Sequence, residues 1–354
     1  MRKLRDEVMN FNVYDILRFR VLGSNWKCIQ YLSRNYSFFK TRFSVDSDLD
    51  LIISNFIPEN SQCYVINRKY YIKEDYIFWE DRYKIVRWKI CLKGIHGGKT
   101  LAFLNTGKLG ITILLDYFIE PLLGFKLARK GFCLLHSSGI AIDGKAIIFP
   151  AHVGVGKTST ILRLRGKGIF LGNEKVLLSD KGVVYGFPTP IHIYDYNVED
   201  NPCIYRSLKL REQLELKIKK LIKSFSQGYA SFPLEVDPER FWEVKKEKFP
   251  LQAVFLLTKT NKDRVIIKEI SNREELSTRL LLIVRHEMRY LWECLQAYSY
   301  IYPEVNLEDF WQRMRKNILS ALRQTLCYEV EIPWRYDQQV FEKIYALMMK
   351  SLNI

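Results

Sequence analysis

The segment Ala151-His152-Val153-Gly154-Val155-Gly156-Lys157-Thr158 constrains this chain more than any other. It ends in Gly-x-Gly-Lys-Thr. A strand-like run, residues 145–150, precedes it, and a helix-compatible stretch, residues 158–165, follows. Strand, loop and helix in that order are what a phosphate-binding loop requires. Small residues at Ala151, Gly154 and Gly156 let backbone N–H groups approach phosphate oxygens, and the helix adds the positive end of its dipole. Gly154, Val155, Gly156, Lys157, Thr158 and Ser159 are therefore the expected nucleotide contacts. Lys157 is expected to reach the β- and γ-phosphates and to face solvent when nothing is bound. The Thr158 hydroxyl is expected on Mg²⁺. Ala151 stands where the motif usually begins with glycine. Alanine resists positive φ, so the loop entry is expected to differ slightly. The plain alternative is a glycine-rich turn between a strand and a helix.

Bulk properties narrow the class. The chain has 354 residues, a length that suits about two domains. Its 48% hydrophobic content supports real cores and excludes a disordered chain. The longest apolar stretch, residues 111–125, is interrupted by Asp116 and by Glu120-Pro121, too short and too broken to span a bilayer. The N-terminus, Met-Arg-Lys-Leu-Arg-Asp-Glu, lacks a signal-peptide core. Seven scattered cysteines without a Cys-x-x-Cys pair read as free thiols in a reducing cytoplasm. The net charge is +16. Residues 1–106 carry net +7, residues 107–202 net +3 and residues 203–354 net +6, so most of the surplus flanks the loop. A mononucleotide needs few cations. A broadly basic body points to a polyanion, nucleic acid before anionic membrane; a lysine-rich thermophile surface is the bland account.

Residues 1–106 read as a small α+β domain. Strands are expected at 49–53, 63–66, 76–79 and 83–92. Residues 107–130 read as one helix broken near Pro121. Two strands, 132–142 and 145–150, meet at Asp143-Gly144, a strong hairpin signal. Strand pieces are expected at 169–171, 175–178 and 183–187, a basic helical pattern at 206–225, and strands at 251–258 and 265–270. Helices are expected at 273–300, 307–325 and 336–352, with breaks at Pro303 and Pro333. The expected division is 1–106, 107–300 and 301–354, the last as helices packed on an α/β core.

Two more residues gain meaning from their distance to Lys157. His136 lies 21 residues before it, in Leu134-Leu135-His136-Ser137-Ser138-Gly139, and Glu174 lies 17 after it, in Leu171-Gly172-Asn173-Glu174-Lys175. With these motifs the chain resembles the HPr kinase/phosphorylase-like group of P-loop kinases, related to phosphoenolpyruvate carboxykinase, over roughly residues 107–300. The resemblance implies an HPr-kinase-like α/β core, ATP or another nucleoside triphosphate, and Mg²⁺. It implies that Lys157 and His136 serve the phosphoryl group. Glu174 would contact the metal, together with Thr158, and take the acceptor proton. The family's acidic pair aligns with Glu174-Lys175, so only one carboxylate remains, which weighs against a second metal contact and against phosphorolysis. The bottom-up chemistry agrees: phosphoryl transfer needs positioning, charge neutralisation and a base. His152 and His192 are weaker candidates.

The acceptor rests on basic surfaces. Residues 82–99 hold six cations and no acid. Strand alternation puts Arg87, Lys89 and Lys93 on one face, with Val86, Trp88, Ile90 and Leu92 on the other. The helix after 206 adds Lys217, Lys219 and Lys220. Each run also reads as an ordinary solvated face. Together they favour RNA, which offers 2′-hydroxyls and is gripped by phosphate and shape. The expected activity is phosphoryl transfer to a ribose 2′-hydroxyl of a structured RNA such as tRNA, similar to an RNA-kinase branch of the family known from archaea. A protein-serine or small-molecule kinase and a non-catalytic nucleotide-binding regulator stay open.

Overall fold

Period-two apolar patterning builds several of the strands, where buried and half-buried residues alternate along Leu17–Gly23, Tyr70–Lys73 and Thr100–Asn105. A computed structural model describes residues 7–42, 46–95, 97–199, 201–227, 229 and 231–352. They divide into two units. The first takes the described residues up to Gly131 with Arg285–Met314; the second takes Phe132–Val284 and the described residues from Arg315 on.

The first unit begins with a hairpin, β1 (Glu7–Val13) and β2 (Leu17–Gly23). Phe11, Val13, Leu17, Phe19 and Val21 all point to one buried face, the pattern of a half-buried sheet. The turn between them holds Tyr14 and Asp15 at positive φ. Helix α1 (Trp26–Asn35) then crosses over, followed by β3 (Lys40–Thr41) and β4 (Leu49–Ile53). A meander completes the sheet: β5 (Tyr64–Ile66), β6 (Tyr70–Lys73), β7 (Tyr76–Tyr83), β8 (Val86–Lys93) and β9 (Thr100–Asn105). The strand order is β3-β1-β2-β4-β9-β8-β7-β6-β5. The helix expected at 107–130 forms without a break, as α2 (Lys108–Leu114), a π-helical turn (Leu115–Ile119) and α3 (Glu120–Ala128). The widened turn lies just before Pro121, which has no N–H for an α-helical bond to the turn behind it.

The second unit carries the loop. Strands β10 (Phe132–Ile142) and β11 (Lys145–Pro150) form the expected hairpin, with Asp143 at φ 49° and Gly144 at φ 73°. Two positive φ values in a row suit the right-handed strand twist. Helix α4 (Lys157–Arg163) follows the loop, then β12 (Ile169–Gly172), β13 (Lys175–Ser179) and β14 (Val183–Gly186). Next come β15 (Ile191–Ile193), α5 (Asp195–Glu199), α6 (Pro202–Ser207), α7 (Leu210–Phe225) and β16 (Leu234–Val236). The long strand β17 (Lys248–Thr260) precedes β18 (Ile266–Glu269), α8 (Arg273–Glu287), α9 (Arg289–Ile301), α10 (Leu307–Ala321), β19 (Leu326–Pro333) and α11 (Gln338–Leu352).

Pairings close a ring, β10–β13–β14–β17–β11 and back to β10, because β10 and β17 are long enough to serve three partners each, the third being β12 for β10 and β19 for β17. Strands β11, β17 and β19 run parallel to one another. Ile147, Phe149, Ile161, Phe170 and Phe255 fill the core beside them. Each such side chain contributes roughly 1.5–3 kcal/mol on burial. The fold is thus mixed α/β.

Several expectations need correction. The boundary placed at 106/107 falls at 131/132, because the 107–130 helix packs with the first unit. Residues 301–354 are no separate helical layer: the stretch up to Met314 counts with the first unit, and β19 and α11 belong to the second. The helix expected at 273–300 is interrupted at Met288. Pro333 does not separate a pair of helices; it ends β19, a strand unread in the sequence. Among the described residues, no helix is long and apolar enough to cross a membrane.

Candidate functional site

The loop leaves the sheet at Pro150, the carboxyl end of β11. Ala151 is buried in the core and is not among the residues with positive φ, so alanine there strains nothing. The positive φ values fall instead on Gly154 (78°) and Gly156 (131°). A Cβ on Gly154 would meet nothing within 4 Å, whereas one on Gly156 would stand 3.2 Å from the Tyr336 ring. Glycine at 156 is therefore required twice, by backbone and by packing. His152, Val153 and Gly154 form the exposed tip, and Val155 packs toward the core.

Lys157 does not face solvent, contrary to expectation. It is 4% exposed. Its Nζ donates to the carbonyl oxygens of Ala151 (3.0 Å) and His152 (3.1 Å) and lies 2.8 Å from Nε2 of His136. The reason is physical: a buried ammonium needs acceptors, and the loop entry presents two carbonyls. An ammonium only donates, so a charged Lys157 makes this contact as a hydrogen bond when Nε2 of His136 is the accepting nitrogen.

Strand register explains how His136 and Glu174 reach the same place. His136 in β10 pairs with Lys175 in β13, and Ser137 N–H donates to the Glu174 carbonyl oxygen (3.0 Å). The Glu174 carboxylate then lies 3.8 Å from His136 Nε2, with 29% of the side chain exposed. Asn173 Nδ2 donates to its Oε1 at 3.1 Å. Lys157, His136 and Glu174, far apart in sequence, thus converge. The carboxylate is held at one oxygen and partly open to solvent, a geometry suited to taking a proton.

Two features were not seen in the sequence. Lys175 is buried and stands opposite His136, so its side chain departs from the same face. It read only as a missing acid. Asn173, fully buried, fixes the Glu174 carboxylate. Strand register places Lys175, and the side-chain conformations of two neighbouring residues make the Asn173 contact.

The remaining candidates are placed as follows. Thr158 is half-buried in the first turn of α4. Ser159 is buried, and its Oγ accepts from Asn197 Nδ2 at 3.3 Å, so packing occupies it. His152 contributes its carbonyl to Lys157, and His192 pairs in register with Glu235 in β16. Among the described residues, no three His, Cys, Asp or Glu side chains gather as a metal cage. Thr158 and Glu174 supply hard oxygen donors, a set that suits Mg²⁺ arriving with phosphates and keeping its waters.

The basic runs are less free than composition implied. On β8, Trp88, Ile90 and Leu92 are buried as expected, but Lys89 pairs with Glu80 (2.8 Å) and Lys93 lies 3.9 Å from Glu59. On α7, Lys219 pairs with Glu215 and Lys220 with Glu199, each at 2.6 Å. Arg87 and Lys217 are exposed. The open face of α7 also carries Leu210, Leu214, Leu221 and Phe225, so it is not purely cationic.

No family model matches the chain, and a search of curated proteins finds no match.

Proposed function

We propose that the chain is a nucleoside-triphosphate-dependent kinase of the HPr-kinase-like kind, with a hydroxyl of structured RNA as acceptor. The convergence of Lys157, His136 and Glu174 at the carboxyl end of β11 carries this reading. Lys157 would exchange the carbonyls of Ala151 and His152 for phosphate oxygens. His136, already bonded to Lys157, would orient the group being transferred. Glu174, steadied by Asn173, would accept the hydroxyl proton. Thr158 and Glu174 are the residues that would hold Mg²⁺, which supplies charge neutralisation on the phosphates when bound.

RNA as acceptor is supported by the net charge of +16 and by the exposed Arg87 and Lys217. The ion pairs at Lys89, Lys93 and Lys220 do not oppose it. Exposed pairs are worth about 0–1 kcal/mol, so phosphate can displace the carboxylates. A nucleotide-binding regulator is the second reading, favoured by one observation: Lys175 is buried beside His136 where a second acid would be expected.

The deciding experiment incubates the protein with γ-labelled ATP and separate pools of RNA, protein and metabolites. Label in RNA supports the first reading. Nucleotide binding with label in no pool supports the regulator.

A further inference from the structure

A cleft of about 360 Å³ opens where β17 and β19 end, lined by Asn261, Arg264, Trp334, Arg335 and Lys343 among others, with no residue of the 151–158 loop in its wall. Its position follows from the sheet. Strands β11, β17 and β19 are parallel neighbours, so their carboxyl ends share one edge. The loop continues from β11 after Pro150; the cleft walls continue from β17 after Thr260 and from β19 at Pro333. In α/β proteins, with the sheet open or closed into a barrel, ligands bind at the carboxyl ends of the parallel strands. Two strand spacings, about 10 Å, separate β11 from β19. Tyr336 bridges the gap. Its ring packs on Gly156, its hydroxyl is 2.8 Å from Thr160 Oγ1, and its carbonyl accepts from Arg163 at 3.2 Å. The segment carrying Trp334 and Arg335 is thereby fastened to the helix that begins at Lys157.

The lining has a definite chemistry. Trp334 is 72% exposed, yet its ring N–H donates to Asn261 Oδ1, which steadies the indole. Arg264, Arg335 and Lys343 are exposed and form no ion pair among the described residues. Two other charges there are already committed: Lys262 pairs with Glu331, and Asp337 caps α11 through Val340 N–H. Asp263 also lines the cleft and is exposed, so what remains is an aromatic plate with three cations and one carboxylate around it. A flat base attached to a ribose and phosphates matches that surface.

We propose that this cleft binds the nucleoside end of the phosphoryl donor, with Trp334 stacking on the base and Arg335 facing the phosphates that lead to the loop. The proposal rests on the reading of residues 151–158 as the triphosphate seat. Sidedness favours the donor over an acceptor nucleotide. Attacking and leaving oxygens stand roughly in line across the transferred group. Glu174 and His136 come from the β10–β13 side of β11, and the cleft lies on its β17–β19 side. The cleft is therefore on the leaving-group side.

The test compares equilibrium binding of MgATP, magnesium tripolyphosphate and total tRNA to the full chain and to Trp334→Ala, Trp334→Phe and Arg335→Gln. Wild type should bind ATP more tightly than tripolyphosphate by roughly 5- to 150-fold, the range one stacked base supplies. Trp334→Ala should erase most of that margin and leave tripolyphosphate affinity unchanged; Trp334→Phe should keep some of it. Arg335→Gln should weaken ATP several-fold without touching a tRNA affinity measured at the same salt. An undiminished ATP margin in Trp334→Ala overturns the inference and leaves the loop assignment standing. So does a loss of tRNA binding at unchanged ATP affinity, which would assign the cleft to the acceptor. Failure of folded wild type to bind either ATP or tripolyphosphate overturns both. The indole is exposed, so its removal leaves no core cavity, and unchanged melting would verify that.

Discussion

The ammonium of Lys157 lies 2.8 Å from Nε2 of His136, inside the loop rather than out in solvent. This contact joins the start of α4 to β10, the first strand of the hairpin that leads into the loop, and turns two separate sequence signals into one cluster. It also gives the lysine a structural duty, since it satisfies two loop carbonyls.

Replacing Lys157 should therefore have two effects. In Lys157→Ala, phosphoryl transfer should fall by at least about 10²-fold, the usual cost of removing one donor that stabilises developing charge. The melting temperature should fall too, because the Ala151 and His152 carbonyls lose a buried donor, at roughly 1–3 kcal/mol. Lys157→Met, which fills the space, should recover some of the stability and none of the transfer. Label transfer near wild type in either variant would remove this loop as the donor site.

Glu174→Gln keeps the shape and removes the charge. Turnover should drop by about 10²–10⁴-fold while nucleotide affinity changes little. Single-turnover kinetics beside equilibrium ATP binding separates the two. A turnover within a few-fold of wild type would eliminate Glu174 as base and strengthen the regulator reading.

Binding of RNA should respond to the exposed cations. Replacing Arg87, Lys89 and Lys93 with Gln, or Lys217, Lys219 and Lys220 with Gln, should weaken tRNA binding uniformly across sequences and lower the salt slope by about one unit per lost phosphate contact. Arg87 and Lys217 should account for more of the loss than Lys219, which is already bonded to Glu215 and the Pro233 carbonyl. Titrations at several salt concentrations, with ATP affinity as the control, read this out. Unchanged tRNA affinity in both triple variants would reduce the charge to ordinary surface.

The first unit should show an acid-sensitive anchor at Asp50. Burial by itself would raise this carboxyl, but hydrogen bonds from Arg20, Ser47 and Lys99 outweigh it and hold the group at about 2 rather than the ordinary 3.8. A depressed carboxyl contributes stability above its unfolded value and loses it as pH falls through the folded one. Asp50→Asn should thus cost about 2 kcal/mol at pH 7, at ~1.36 kcal/mol per unit. The difference from wild type should shrink between about pH 4 and pH 2. Denaturant titrations of both proteins across that range check it; a constant difference would show that the carboxylate charge is not what matters.

What was legible in the sequence was local. The Asp143-Gly144 turn, the loop before α4 and the alternation of Trp88, Ile90 and Leu92 depend on φ preferences and period alone, and all three stand in the structure. The spacings of His136 and Glu174 from Lys157 marked residues that the fold does bring together. Contacts distant in sequence were not legible, because nothing in a single strand states its partner. The β1–β2 hairpin was passed over, and β19 went unread because its place beside β17 depends on parallel pairing across more than sixty residues. The inward turn of Lys157 depends on where two loop carbonyls and a histidine ring happen to meet. The pairing of Lys89 with Glu80 depends on the β7–β8 register, and that of Lys220 with Glu199 on how α7 lies beside α5. Charge and motif are properties of the chain; which charges stay free, and which side of the loop offers a cleft, are set by tertiary packing.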